Sequence, residues 1–461
     1  MRHGVQLIAY ADRFGGSLPG LGRLLTGPLA GLFGGVHVLP FYRPYDGADA
    51  GFDPDDHLSV DPRLGGWDDV RALGEAFDVT ADLIVNHVSD RSAAFRDVVA
   101  NGDRSPNAGM FLTFDAVFPS GATEADLTRI TRPRPGLPFT PVVLGGRRRL
   151  AWTTFTPHQI DLDVRNRSAR TYLSDVLRCL AGNAVTTVRL DAVGYAVKTP
   201  GTTCFLTPDT LAFATELATE ARRLGLRVLA EVHAPTRSDT ATAAVVDQVY
   251  DFTLAPAILH AVSTGDSGPL RVWLRERPDH PVTVLETHDG IGLVDAVGLL
   301  STSQIAAIVE LVHHNSRGTS RVSTMPDGTP YQISCTAYDA VGRDDRRYLL
   351  ARALQLFAPG TPQVYYVGLL AGRNATGVAG DAREINRRSY TEADVVTAMR
   401  RRVVRRLTRL ISVRNTHPAF RGDFTVEDDA GVELCLGWQA GADRAELRAR
   451  LADATFHLRL T

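Results

Sequence analysis

Eight short apolar runs, each closing on polar or aromatic residues, recur along the chain: VQLIAYAD (5–12), GVHVLPF (35–41), DLIVNH (82–87), TTVRLDAV (186–193), VLAEVH (228–233), VDQVYDF (246–252), VTVLETHD (282–289) and TPQVYYVG (361–368). Helical patterns such as WDDVRALGEAF, SARTYLSDVLRCLAG, DTLAFATELATEARRLG and RYLLARALQLFAPG lie between them, several ending in Gly where a helix cap uses it. Strand and helix alternating eight times predict an α/β chain folded as a (β/α)8 TIM barrel. A doubly wound sheet is the rival, but no GxGxxG follows the first run and no GxxxxGK[ST] phosphate loop occurs.

The connections after the third and seventh runs are too long for simple loops, and long insertions at strand C-terminal ends build sites. The expected barrel therefore comprises 1–87, 166–289 and 346–415, with an inserted domain at 88–165. A second insertion at 290–345 carries an acceptor-site loop, and 416–461, with its alternating runs ELCLGW and TFHLRL, reads as a small C-terminal β-domain. The arginine-rich run at 398–415 places Val403, Val404, Leu407, Leu410 and Ile411 at helical spacing and reads as a solvated last barrel helix.

A net charge of -2 argues against nucleic acid as partner, and no segment approaches a membrane span. The N-terminus lacks a secretory core. Cys179, Cys204, Cys335 and Cys435 are too scattered for a zinc site or a disulfide framework, so a reducing cytoplasm is expected. No metal and no cofactor are expected.

The run 186–193 raises the functional question, because an interior strand there carries Arg189 and Asp191. Residues two apart share a face of a strand, so both charges point into the barrel mouth. An adjacent guanidinium favours the ionised carboxylate, which suits a nucleophile; a structural ion pair is the alternative. Other strand ends add His87, then Glu231 and His233, then His288 and Asp289. Three carboxylates at strand ends match a retaining glycoside mechanism: an ionised nucleophile (Asp191), an acid/base (Glu231) and a stabiliser of an oxocarbenium-like transition state. GADAGFDPDDH (47–57) offers Asp49 as a sugar-hydroxyl acceptor and Phe52 as an apolar platform; it lacks the D-x-D-x-D-G pattern of a calcium loop. Phe155 and Tyr195 are candidates for an aromatic wall.

The segments QLIAYADR, GVHVLPFYRPYDGADAGFDPDDH, IVNH, RPRPGLPFT, FTPHQIDLD, VRLDAVGYAVKTPGT, AEVH, TVLETHDGIG, PQVYYVGLLAG and REINRR resemble, in order and across nearly the whole chain, the sucrose phosphorylases and their relatives in the α-amylase superfamily. The resemblance implies Asp191 as nucleophile, Glu231 as acid/base and Asp289 as transition-state stabiliser. It also implies Asp49, Phe52, His87, Arg189, His233, His288 and Arg387 around the glucosyl unit, with Phe155 and Tyr195 lining its pocket. Inorganic phosphate would release α-glucose 1-phosphate from a covalent glucosyl enzyme, and Arg134 and Tyr331 are candidates to hold that phosphate. The segment 313–332 departs from the family. Its Arg317 and Arg321, with His313 and His314, suggest an anionic leaving group, and Asp327, Tyr331 and Gln332 lie in the same acceptor loop. The expectation is a sucrose 6'-phosphate phosphorylase, with sucrose as the alternative donor, then glucosylglycerate or glucosylglycerol, or a hydrolase or transglucosidase. Small-molecule substrates and a monomer or homodimer complete the expectation.

Overall fold

The computed structural model describes residues 4–235, 239–377, 380–427 and 433–461. Eight parallel strands close into a barrel: β1 (Gln6–Ala9), β2 (Gly35–Val38), β3 (Asp78–Ile84), β4 (Val185–Asp191), β5 (Arg227–Ala230), β6 (Gln248–Asp251), β7 (Pro281–Thr283) and β8 (Thr361–Tyr365). Each pairs with its neighbour in sequence, and β8 returns to β1. All eight expected runs carry a strand. Their bounds differ in an informative way. β3 starts at Asp78 because DVTA pairs with β2 from Gly35 onward. β3, β5 and β7 stop before His87, Glu231 and His288, so these side chains sit on the segments that leave the barrel rim.

The barrel helices start and stop on local signals. Asn166 accepts from Ser168 N at the start of the helix Arg167–Gly182, and Thr207 caps Pro208–Arg223, whose proline occupies the first turn where its missing N–H costs nothing. The last barrel helix, Arg402–Thr416, buries Val403, Val404, Leu407, Leu410 and Ile411 and turns Arg402, Arg405, Arg406 and Arg409 outward, while Arg414 packs against Phe420 and Trp438. Each of those fully buried aliphatic side chains contributes on the order of 2 kcal/mol.

Two segments rise above the barrel mouth. The first contains the hairpin Phe139–Leu144 with Arg147–Trp152 and a small apolar cluster of Leu112, Val117, Phe118, Trp152 and Cys204. It returns through Gln159–Asp161, which pairs with His87–Ser89 and so ties the insertion to the end of β3. The second carries the helix Thr302–Asn315 and a three-stranded sheet of Ile291–Gly292, Pro330–Ser334 and Arg321–Thr324. The C-terminal unit is a four-stranded antiparallel sheet from Asp423–Val426 to Thr455–Leu460. Trp438 Nε1 seats it by donating to Phe357 O at 2.7 Å. Among the described residues no helix is long and apolar enough to cross a membrane, and no group of three or more His, Cys, Asp and Glu could hold a metal ion.

Candidate active site

The site begins inside the barrel. Strand alternation turns Arg189 and Asp191 inward, and the register sets Arg189 beside Asp82 of β3. The Arg189 guanidinium contacts Asp82, reaches Asp191 Oδ1 at 2.9 Å and Glu231 Oε1 at 2.6 Å. Beneath it lies a polar floor: His37 Nε2 is 3.0 Å from Asp82 Oδ2, and the Tyr250 hydroxyl donates to Gln363 Oε1 at 3.1 Å. The ring of Phe52 lies 5.5 Å from the guanidinium carbon and stacks on His288, centroids 4.9 Å apart. Ala192, directly after Asp191, has φ 54, and its N–H donates to Glu231 Oε2 at 3.2 Å. A non-glycine residue in that region is a local strain, here at the point where the nucleophile candidate meets the acid/base candidate.

Charge counting decides the protonation. Burial raises Asp82, but Arg189 and His37 outweigh it and hold the carboxyl at about 2. Asp191 behaves otherwise: burial and then the Glu231 charge push its carboxyl well above the usual range, against the pull of Arg189. Arg189 does lower Asp191, as its place on the strand suggests, but by less than burial and Glu231 raise it. One guanidinium is divided among three carboxylates, Asp82, Asp191 and Glu231, so its pull on Asp191 is diluted. Asp289 goes the other way. Burial raises it, but His288, Arg383 and Arg387 more than reverse that and keep it ionised.

A cavity of about 440 Å³ opens over this floor at the C-terminal ends of the strands. Asp191, Glu231 and Asp289 line it together with Asp49, Phe52, His87 and His288. Phe155 and Tyr195 form a T-shaped pair on one wall, centroids 5.4 Å apart. His233, Tyr331, Gln332 and Arg134 also line the cavity. Among the described residues Arg134 has no hydrogen bond or ion pair. Arg387 lies behind the lining, 3.2 Å from Asp289 Oδ1.

Arg317, Arg321 and Asp327 are exposed and do not line the cavity. Arg321 Nη1 instead donates to the carbonyls of Gly318 at 3.0 Å and Ser320 at 2.9 Å, and Asp327 Oδ1 accepts from Thr329 N at 2.9 Å. The loop presents Val322, Ser323, Tyr331 and Gln332 to the cavity.

Several residues of the site escaped the sequence reading. Arg383 pairs with Asp49 and lies 3.2 Å from Asp289 Oδ1. Gln159 Nε2 donates to Asp49 Oδ2 at 3.1 Å, and Asp295 Oδ2 lies 2.9 Å from His233 Nδ1. Asp82 alone had a usable signal, a charge inside an apolar run. Lys198, the only lysine of the chain, is buried below the wall, with Nζ 2.7 Å from both Asp161 Oδ2 and Asn86 Oδ1.

A closed parallel barrel with carboxylates at three strand ends defines an enzyme of the α-amylase class, and residues 32–238 match the α-amylase catalytic domain family. Over 97% of its length the chain is 50% identical to a sucrose phosphorylase of Agrobacterium vitis, covering 95% of it, and 43% identical to one of Bifidobacterium adolescentis, covering 92%. The crystal structure of sucrose 6F-phosphate phosphorylase from Thermoanaerobacter thermosaccharolyticum superimposes with a TM-score of 0.95 at 35% identity, over 100% of this chain and 96% of that one. The chain belongs to the sucrose phosphorylase family of glucoside phosphorylases.

Proposed function

We propose that the protein phosphorolyses sucrose by two displacements. Asp191 attacks the anomeric carbon while Glu231 protonates the departing fructosyl oxygen, leaving a β-glucosyl ester on Asp191. Phosphate then attacks the same carbon from the vacated side and releases α-glucose 1-phosphate. Asp289, kept ionised by its arginines, holds sugar hydroxyls and stabilises positive charge at the transition state. Phe52, with His288 stacked on it, and the Phe155–Tyr195 wall fit a single pyranose ring. Arg134, a cation without a partner in the cavity lining, suits the phosphate, with Tyr331 as a second donor.

The observation that carries the choice of donor is the acceptor side of the cavity. Neutral Val322, Ser323, Tyr331 and Gln332 line it, while Arg317 and Arg321 lie outside. An anionic fructose 6-phosphate leaving group would lack the clamp expected from those arginines, which favours sucrose over sucrose 6'-phosphate. The relatives at 50% and 43% identity, both sucrose phosphorylases, support the same choice. Initial rates of glucose 1-phosphate release from the two donors, at equal phosphate, test it. Faster release from sucrose is expected; faster release from sucrose 6'-phosphate would overturn the choice.

A further inference from the structure

His233 stands two residues after Glu231, and its surroundings are more elaborate than a pocket wall requires. Its ring lies flat on Phe252, centroids 4.0 Å apart with 17° between the planes. Nδ1 is 2.9 Å from Asp295 Oδ2, and the other oxygen of that wholly buried carboxylate accepts from Ala234 N at 3.2 Å. Asp295 therefore holds both the ring and the peptide that follows it. Gly292 leaves the room: a Cβ there would fall 2.4 Å from Asp295 Oδ2 and 3.5 Å from His233 Cε1.

A carboxylate at Nδ1 keeps a proton on that nitrogen and leaves Nε2 on the Glu231 side of the ring. Nε2 is 4.0 Å from Glu231 Oε1, beyond hydrogen-bond range, so it is available to an entering oxygen. We propose that Asp295 is a positioning residue that fixes His233 as the donor for the incoming phosphate, and so sets how the glucosyl enzyme divides between phosphate and water. This rests on the glucosyl-Asp191 reading above. In the step concerned, a phosphate oxygen bonds to the anomeric carbon as the ester bond to Asp191 breaks and its electron pair returns to the carboxylate. His233 keeps its proton and lends it as a hydrogen bond. A cationic donor helps an anionic nucleophile far more than neutral water.

Charges around the ring agree. Burial opposes the imidazolium, but Asp295 and then Glu231 and Asp289 raise His233 to about 9, and Tyr331 stands edge-on to the ring with centroids 5.6 Å apart.

The test is the Asp295→Asn variant turning over sucrose with and without phosphate. Its KM for phosphate should rise about ten-fold, the loss of one charge-assisted hydrogen bond, a clearly larger change than the one in glucose release without phosphate. Equal slowing of both routes would overturn the proposal, as would a higher KM for fructose in the synthetic direction with phosphate unaffected. If the variant does not fold, the wild type serves: the phosphate share of product should fall as pH rises through about 9. A share that stays flat across that range would overturn the proposal. Wild-type protein that forms no glucose 1-phosphate from sucrose would instead remove the reading beneath it.

Discussion

Arg189 reaches Glu231 Oε1 through Nη2 at 2.6 Å, so the cation of β4 and the acid/base candidate beyond β5 are directly bonded. The same guanidinium also holds Asp191 and Asp82. Both candidate catalytic carboxyls are thereby aimed by one rigid planar group, which a lysine could not imitate. Arg189→Lys should lower kcat/KM at least about 100-fold, roughly 2.7 kcal/mol of transition-state stabilisation. Steady-state kinetics on sucrose and phosphate check this; a loss below about three-fold would detach Arg189 from the chemistry.

Acid should act through the floor of the site. Asp82 is held at about 2, below its ordinary value, so it contributes stability above the usual carboxylate range that is lost as pH falls from about 4 towards 2. The contribution is on the order of 2 kcal/mol. Asp82→Asn removes this titration, and its unfolding free energy should fall less steeply over that window than the wild type's in urea denaturation.

Phosphate binding separates the two arginine groups. Arg134→Ala should raise the KM for phosphate about ten-fold or more, because the cation proposed to hold phosphate is lost. Arg321→Ala, whose side chain bonds its own loop carbonyls, should leave both substrates within about two-fold. An effect of Arg321→Ala confined to sucrose 6'-phosphate would revive the anionic acceptor.

Below the rim, Glu286 and Arg352 form a wholly buried ion pair, and Glu286 also accepts from Ala337 N. Arg352→Met strands that carboxylate and should cost about 3–5 kcal/mol. Adding Glu286→Gln should recover part of the loss, since the buried charge goes with it. Denaturant midpoints of the two variants check the order.

Much of the barrel was legible because a strand buried on both faces is largely apolar and eight such runs alternate with helical patterns. The charges at strand ends were legible for the same reason: Arg189, Asp191 and Glu231 interrupt runs where packing alone offers no use for them. Partners that arrive from distant loops were not. Asp295 meets His233 across 62 residues, and Arg383 meets Asp49 across 334. No local period marks such a meeting. The arginines of 313–332 show the opposite limit: their charge was visible, but the direction of Arg321 depends on how the strand Arg321–Thr324 pairs with Pro330–Ser334, and that of Arg317 on the turn after the helix Thr302–Asn315.

Trapping the covalent glucosyl enzyme separates the two-displacement mechanism from its rivals. Protein turning over sucrose without phosphate is quenched in acid, digested and mapped by mass. The peptide containing Asp191 should be heavier by one glucosyl residue, and the added mass should disappear when phosphate is supplied before the quench. A glucosyl group on another side chain, or an unmodified Asp191 in protein that still releases glucose 1-phosphate, would contradict the two-displacement mechanism.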